Sequence, residues 1–276
     1  FVAVDTTVPN VWYVNNAVFG GGDSWTAAAG DTSFLGLSAI RPAIRIDSVV
    51  SQLTAGDTVY IDAGTFQEYD TITIPCSNVW IVGVDSALTV IDFNDTTAAG
   101  ARSIRADTLT YVTVRDFRVT GGRHGIQFTN ADSATIQRVR ADTNGMRGIT
   151  LETNSDWSTI ASNHVSGNGS YGIYLANSTS DTISRNVSTG NVSYGIYLFF
   201  LTNSVVETNT ASGNSSHGIL VSSLTNNRVT SNVSTSNAGY GFYFQSIVGH
   251  TIRSNVSSGN SSGGYWLNLS TDNTLT

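Results

Sequence analysis

A glycine followed by an apolar-x-apolar triplet recurs at Gly125, Gly148, Gly172, Gly195, Gly218, Gly241 and Gly264, with spacings of 23, 24, 23, 23, 23 and 23 residues. Alternation of this kind marks a strand with one buried face. It predicts two inward columns: Ile126, Ile149, Ile173, Ile196, Ile219, Phe242 and Tyr265, then Phe128, Leu151, Leu175, Leu198, Val221, Phe244 and Leu267. A second strand in each repeat begins at Val114, Ile136, Ile160, Ile183, Val206, Val229 and Ile252, and Leu275 starts an eighth. Three residues further on stand Phe117, Val139, Asn163, Asn186, Asn209, Asn232 and Asn255. Stacked asparagines at one turn can hydrogen-bond along their column, so these five are expected to form a structural ladder. Asn144, Asn168, Asn191, Asn214, Asn237 and Asn260 make a second polar column just before the glycine-led strand. Asparagine tolerates left-handed backbone, and these residues are expected to turn that corner themselves.

A repeat of this length is too short for a propeller blade and lacks the 3.6-residue period of helix-pair solenoids. Short strands separated by turns, stacking position upon position, predict an all-β parallel solenoid of about ten coils. Over residues 112–276 the sequence resembles the right-handed parallel β-helix group with Asn-rich coil repeats, the carbohydrate-binding and pectate-lyase-like superfamily. That resemblance implies a right-handed, single-stranded parallel β-helix. The N-terminal third resembles the same group through Val11-Trp12-Tyr13-Val14-Asn15, Ser38 to Leu53, Ala55-Gly56-Asp57-Thr58-Val59-Tyr60-Ile61 and Ala63-Gly64-Thr65-Phe66. In the group the middle segment is a short helix that caps the solenoid. Ile40, Ile44, Val49 and Leu53 suit one helical face, with Pro42 near the start where its missing N–H is tolerated. The expected organisation is one continuous structural domain, with 1–56 as N-terminal extension and helical cap and 57–276 as the β-helix.

Composition narrows the partners. The chain is 40% hydrophobic and only 12% charged, a β-rich and turn-rich profile dominated otherwise by Ser, Thr, Asn and Gly. All 13 basic residues are Arg and the net charge is -7, which leaves no basic tract for a nucleic-acid backbone. Cys76 is the only cysteine and reads as a small core residue, so neither a disulfide framework nor a Cys-based zinc site forms within one chain. No apolar run approaches the length of a membrane span. A chain starting at Phe1 suggests processing and export, and the expected location is extracellular or at the cell surface.

Four groups of residues carry candidate chemistry. Tyr174, Tyr197, Tyr243 and Trp266 point outward from the glycine-led strand, beside Tyr171, Tyr194 and Tyr240, with Phe199 and Phe200 extending the stripe. Such a stripe either binds glycans or other subunits, or is a stacked ladder that stabilises the solenoid. Arg115, Arg118, Arg138 and Arg140 predict a patch for carboxylates or sulfates, unless they pair with Asp107, Asp116 and Asp142 on the same coils. Asp132 and Asp156 recur in a Thr-Asn-x-Asp turn and should stack about 5 Å apart, which suits a Ca²⁺ bridge, a retaining glycosidase pair, or simple turn formation. No other cofactor or metal is expected. The Asp-Pro-His signature of alginate epimerases is absent. Sequons at Asn94, Asn168, Asn177, Asn191, Asn214, Asn260 and Asn268 are candidate glycan acceptors, whereas those in the inner ladder are not.

The function expected from these features is a structural or adhesive β-helix that binds other subunits or glycans through its aromatic stripe and an open solenoid end. The alternative is a lyase, glycoside hydrolase or epimerase acting on acidic polysaccharide. An uncovered last coil predicts self-association, head-to-tail or by a strand donated in trans, for which Phe1 to Val8 is the nominated segment.

Overall fold

The computed structural model describes residues 9–18, 22–94, 102–223 and 225–276. Strands of like position pair in parallel from coil to coil and build three sheets, the first of 11 strands and the others of nine each. Within one coil Thr135–Gln137 belongs to the first sheet, Arg140–Asp142 to the second, and the glycine-led Ile149–Glu152 to the third. The register locks identical side chains above one another, as in Ile126, Ile149, Ile173, Ile196 and Ile219. The product is a right-handed parallel β-helix of about nine turns, one fewer than the repeat pattern suggested. Both apolar columns fill the interior; only at the last coil do Tyr265 and Leu267 remain exposed. The nominated donor segment, Phe1 to Val8, lies outside the described residues.

Each corner combines a left-handed residue with an inward polar one. At the first corner the pairs are Ser162-Asn163, Arg185-Asn186 and Thr208-Asn209, and at the second Gly167-Asn168, Gly190-Asn191 and Gly213-Asn214. This corrects the expected role of the second asparagine column. The residue before each asparagine turns the chain, while the asparagine itself is buried and satisfies the backbone. Asn186 Nδ2 donates to Asn209 Oδ1 at 2.9 Å and to Ile160 O at 2.8 Å, and the Asn186 backbone N–H reaches the same Oδ1 at 2.9 Å. Equivalent bonds run from Asn163 to Asn255 and, in the second ladder, from Asn144 to Asn260. Turn N–H groups with no β partner are thereby paired out of reach of water.

The single spacing of 24 also has a location. Thr129 is level with Glu152, but Thr135 is level with Thr159, so the extra residue sits in the turn between Glu152 and Thr159. Thr153 and Asn154 are both left-handed there.

The cap differs from the expected helix. Among the described residues of the cap only Ile46–Val50 is helical, with Ile46, Val49 and Val50 buried, while Ile40 is exposed. Residues before Arg45 are drawn into pairing with the first strand: Ala43 N–H donates to Tyr13 O and Asn15 N–H to Ala43 O. A segment that bridges a strand in this way cannot also close helical i to i-4 bonds. Glu68 Oε1 accepts from the Ile46 N–H at 2.9 Å, and burial raises this carboxyl to about 7.

Candidate functional site

The outward face of the third sheet carries two adjacent columns of side chains. Thr150, Tyr174, Tyr197, Leu220, Tyr243 and Trp266 share one register. Beside them stand Arg147, Tyr171, Tyr194, His217 and Tyr240. The rings form a ladder: Tyr171 and Tyr194 stack at 5.2 Å, Tyr194 and His217 at 5.4 Å, His217 and Tyr243 at 4.6 Å, and Tyr240 meets Trp266 at 5.4 Å. Tyr174 and Tyr197 approach to 5.2 Å, and Phe199 with Phe200 closes the ladder's flank at 4.2 Å. Most of these rings are half-buried against one another, and they cover Leu220. Burial, with Tyr174, Tyr171 and Tyr194 close by, pushes the Tyr197 hydroxyl up to about 12. The ladder therefore stabilises the solenoid and also leaves a continuous ribbon of ring surface facing out.

Towards the N-terminal coils the ribbon turns from aromatic to basic. The Arg147 guanidinium lies 4.1 Å from the Tyr174 ring centroid and 5.4 Å from that of Tyr171, and it pairs with Glu152. One coil below, His124 is buried, and its Nδ1 has no hydrogen-bond partner in the protein; the same holds for Arg147 Nε and Thr150 Oγ1. Burial, with Arg147, Arg123 and Arg105 nearby, pulls the His124 imidazole down to about 4, so it is neutral at physiological pH. Buried polar atoms without a protein partner mark a place that stores strain or receives a water, an ion or a ligand. The sequence places His124 and Arg147 one residue before a repeat glycine and Thr150 at the outward position of its strand, with Arg147 near the expected basic patch and no role for His124 or Thr150. The available signal was the switch of both columns from aromatic to polar residues.

The predicted arginine patch is committed elsewhere. Arg118 Nε donates to Asp142 Oδ1 at 2.7 Å and Arg140 Nε to Oδ2 of the same carboxylate at 2.9 Å, while Arg115 and Arg138 share Asp116. Each of the four thus has a carboxylate partner on its own or the next coil, the pairing that the sequence left open beside an anion site. Against the opposing effect of burial, hydrogen bonds and then charge from Arg138 and Arg115 hold the Asp116 carboxyl below its ordinary range.

Asp132 and Asp156 do stack, but as turn residues. Asp132 Oδ1 accepts from the Asp156 N–H at 2.9 Å and Asp156 Oδ1 from the Thr179 N–H at 2.7 Å, so one oxygen of each is tied to the next coil. Beside them runs a third inward ladder that the sequence did not reveal, built from Ser158, Asp181, Ser204, Asn227, His250 and Asn273. Asp181 is fully buried, and burial raises its carboxyl to about 7 despite hydrogen bonds from Ser178 and Ser158. Among the candidate glycan acceptors, Asn168, Asn191 and Asn214 are corrected outright: all three are buried in the second ladder, where no glycan fits. Asn260 is the last member of that ladder, and its amide donates to Ser234 O and Ser257 Oγ. Asn94 and Asn177 are exposed, on left-handed backbone, and Asn268 is half-buried.

Fold and surface together define a right-handed β-helix with an aromatic and basic outer face, and residues 179–276 match the family described as "Right handed beta helix region". Residues 55–199, just over half of the chain, match "Periplasmic copper-binding protein (NosD)". The chain belongs to the NosD family. Similar solved structures include the periplasmic alginate epimerase AlgG at 20% identity and a TM-score of 0.53, covering 80% of this chain and 59% of that one. Pectate lyase Pel9A is similar at 15% identity and 0.60, covering 97% and 81%, and the Dettilon tailspike protein at 15% and 0.61, covering 90% and 59%. These likenesses are of fold, and the chain spans about three-fifths of the length of the epimerase. No curated protein matches the sequence.

The residues present do not fit the copper of the family's description. Copper sites gather His, Cys and Met side chains around one point, whereas among the described residues no three of His, Cys, Asp and Glu converge. Met146 Sδ accepts from Arg123 Nε at 3.2 Å, and Cys76 Sγ donates to Leu53 O at 3.3 Å with its thiol raised by burial. His217 Nδ1 accepts the Tyr240 N–H at 2.9 Å, and His124 sits among arginines that oppose a cation. No helix among the described residues is long and apolar enough to cross a membrane.

Proposed function

We propose that this protein is a non-catalytic polysaccharide-binding β-helix that acts outside the cytoplasm as a structural or adhesive element. It holds an acidic glycan lengthwise along the outer face of the third sheet. The observation that carries this reading is the uninterrupted ring ladder from Tyr171 to Trp266, continuous at its other end with Arg147 and His124. Sugar rings offer apolar C–H faces to the aromatic ribbon, while an Arg fork and a neutral imidazole suit a carboxylate and its neighbouring hydroxyls. The periplasmic description of the family and the polysaccharide-directed names of similar folds support the same reading. Its test is calorimetric titration with polygalacturonate and with alginate. Binding that falls at least tenfold in Arg147→Ala and in Tyr194→Ala is expected; no binding to either polymer refutes it.

A second reading is favoured by one observation, the unpartnered Nδ1 of His124 in an arginine-rich setting. A neutral imidazole beside groups that neutralise a uronate carboxylate is what proton abstraction next to that carboxylate requires. New unsaturated chain ends, or epimerised residues within the chain, on incubation with either polymer, abolished by His124→Ala, would favour an enzyme over a binding protein.

A further inference from the structure

Left-handed positions at the corner between the third and first sheets form one column: Asn78, Tyr111, Ser133, Trp157, Ser180, Asn203, Asn226, Gly249 and Asp272, all with φ between 53° and 71°. Backbone of this kind suits Gly, Asn, Asp and small polar residues, and bulky side chains there are outliers. Seven of the nine follow that rule. Tyr111 and Trp157 break it, and both are 61% exposed. Neither ring packs against another aromatic ring, in contrast to every tyrosine of the ribbon. Trp157 also lies in the turn that carries the extra residue of the 24-residue repeat. Strain without compensating burial is the mark of a position selected for what it presents to the outside.

The two rings stand two coils apart in one column, which is about 10 Å along the axis. Asp132 lies on the coil between them and Asp156 adjoins Trp157. Each carboxylate spends one oxygen on the next backbone N–H, and neither is paired with an arginine. Two aromatic platforms with unneutralised acceptors between them suit a ligand that is apolar on its faces, rich in hydroxyl donors and not anionic. In an extended β-1,4-linked chain every second sugar presents the same face, at a repeat matching two coil rises. We infer that Tyr111 and Trp157 form a second binding site, separate from the third-sheet ribbon, for a neutral extended β-1,4-linked glycan lying along the solenoid axis, with Asp132 and Asp156 accepting hydrogen bonds from its hydroxyls. This site does not depend on the ribbon binding acidic polysaccharide.

The test uses cellohexaose, mannohexaose and the chitin hexasaccharide as probes in calorimetric titrations of the full chain, with Trp157→Asn and Tyr111→Asn as variants. Asn203 and Asn226 already occupy the column, so both variants fold without strain. Expected are binding of at least one probe by the parent protein, a loss of at least tenfold in each variant, and a melting temperature that rises in both. The ribbon variant Tyr194→Ala should bind the same probe unchanged. Failure of all three probes to bind, or binding that survives both substitutions, overturns the proposal. So does a fall in melting temperature in both variants, which assigns the rings to structure, or a parent dimer that Trp157→Asn dissociates, which assigns them to a second copy.

Discussion

Asn209 Oδ1 accepts two hydrogen bonds from Asn186, one from the side-chain amide at 2.9 Å and one from the backbone N–H at 2.9 Å. Asn209 in turn donates to Ile183 O at 2.8 Å and to Asn232 Oδ1 at 3.0 Å. One side chain thus serves three coils. Replacing Asn209 by Leu strands the Asn186 N–H away from water, at a cost of about 1–3 kcal/mol, while the Ile183 carbonyl keeps its place in the sheet ladder. Expected is a melting temperature lower by several degrees, since about 2–4 °C follows each kcal/mol in a chain of this size. Asn255→Leu, at the half-buried end of the ladder, should cost less. Equal losses at both positions would show that burial does not set the ladder's worth.

Asp181 predicts a pH dependence of opposite sign to ordinary acid denaturation. Burial raises its folded-state value from 3.8 to about 7, so between those values the native state binds the proton and the unfolded chain does not. Its contribution is most favourable below the unfolded value and is lost as pH rises towards and through about 7. Asn227 holds a like place two coils on, accepting the Ser204 N–H at 2.6 Å. Asp181→Asn should therefore raise the urea midpoint at pH 8 and change it little at pH 4. A midpoint at pH 8 that stays put or falls would mean that the buried carboxylate is better satisfied than its surroundings imply.

Asp142 carries the load of two arginines, and its carboxylate is almost wholly buried. Removing both guanidiniums in Arg118→Ala with Arg140→Ala leaves that charge without a partner. Because the arginines are themselves about a third to a half exposed, the loss should be about 1–3 kcal/mol, less than for a fully buried pair. Polyuronate binding should be unchanged in this variant, because the pair belongs to the second sheet. Reduced binding with unchanged stability would return the patch to the list of ligand contacts.

How much of this was legible in the sequence depended on whether identity or environment repeats. The ladder from Asn163 to Asn255 is visible because one residue type recurs in one column. The ladder through Ser158, Asp181, Ser204, Asn227 and His250 is equally regular in space, but its chemistry changes at every coil, so no pattern of letters marks it. Asn168, Asn191 and Asn214 satisfied the sequon rule because that rule ignores burial. The cap was over-extended because periodic apolar residues from Ile40 to Leu53 do not reveal that Ala43 pairs with the strand at Val14. Nothing in the letters marks His124 or Thr150, because what sets them apart is a buried polar atom without a partner, a property of the packing around them.

The repeated glycine, the first feature of the chain to stand out, is there for space rather than for backbone freedom. Gly195 has ordinary φ, but a Cβ on it would meet Asn214 Nδ2 at 2.7 Å, Gly218 O at 2.7 Å and Ala211 Cβ at 3.0 Å. The first is the ladder amide that bonds to Asn237, and the second is the carbonyl that receives the Ile196 N–H from the strand below. A methyl group there must push apart the ladder and the third sheet together, and overpacking of this kind costs about 1–3 kcal/mol. Gly213 is the reverse case, with φ of 62° and nothing within 4 Å of its would-be Cβ. In its column Thr143 and Ser236 already hold the left-handed conformation. Gly213→Asn should therefore be close to neutral, and Gly195→Ala clearly destabilising, even though Gly213 is the one on left-handed backbone. Thermal melts of the two variants decide the matter: if Gly213→Asn proves the more damaging, conformation outranks space at these corners and the meaning assigned to the repeated glycine is wrong.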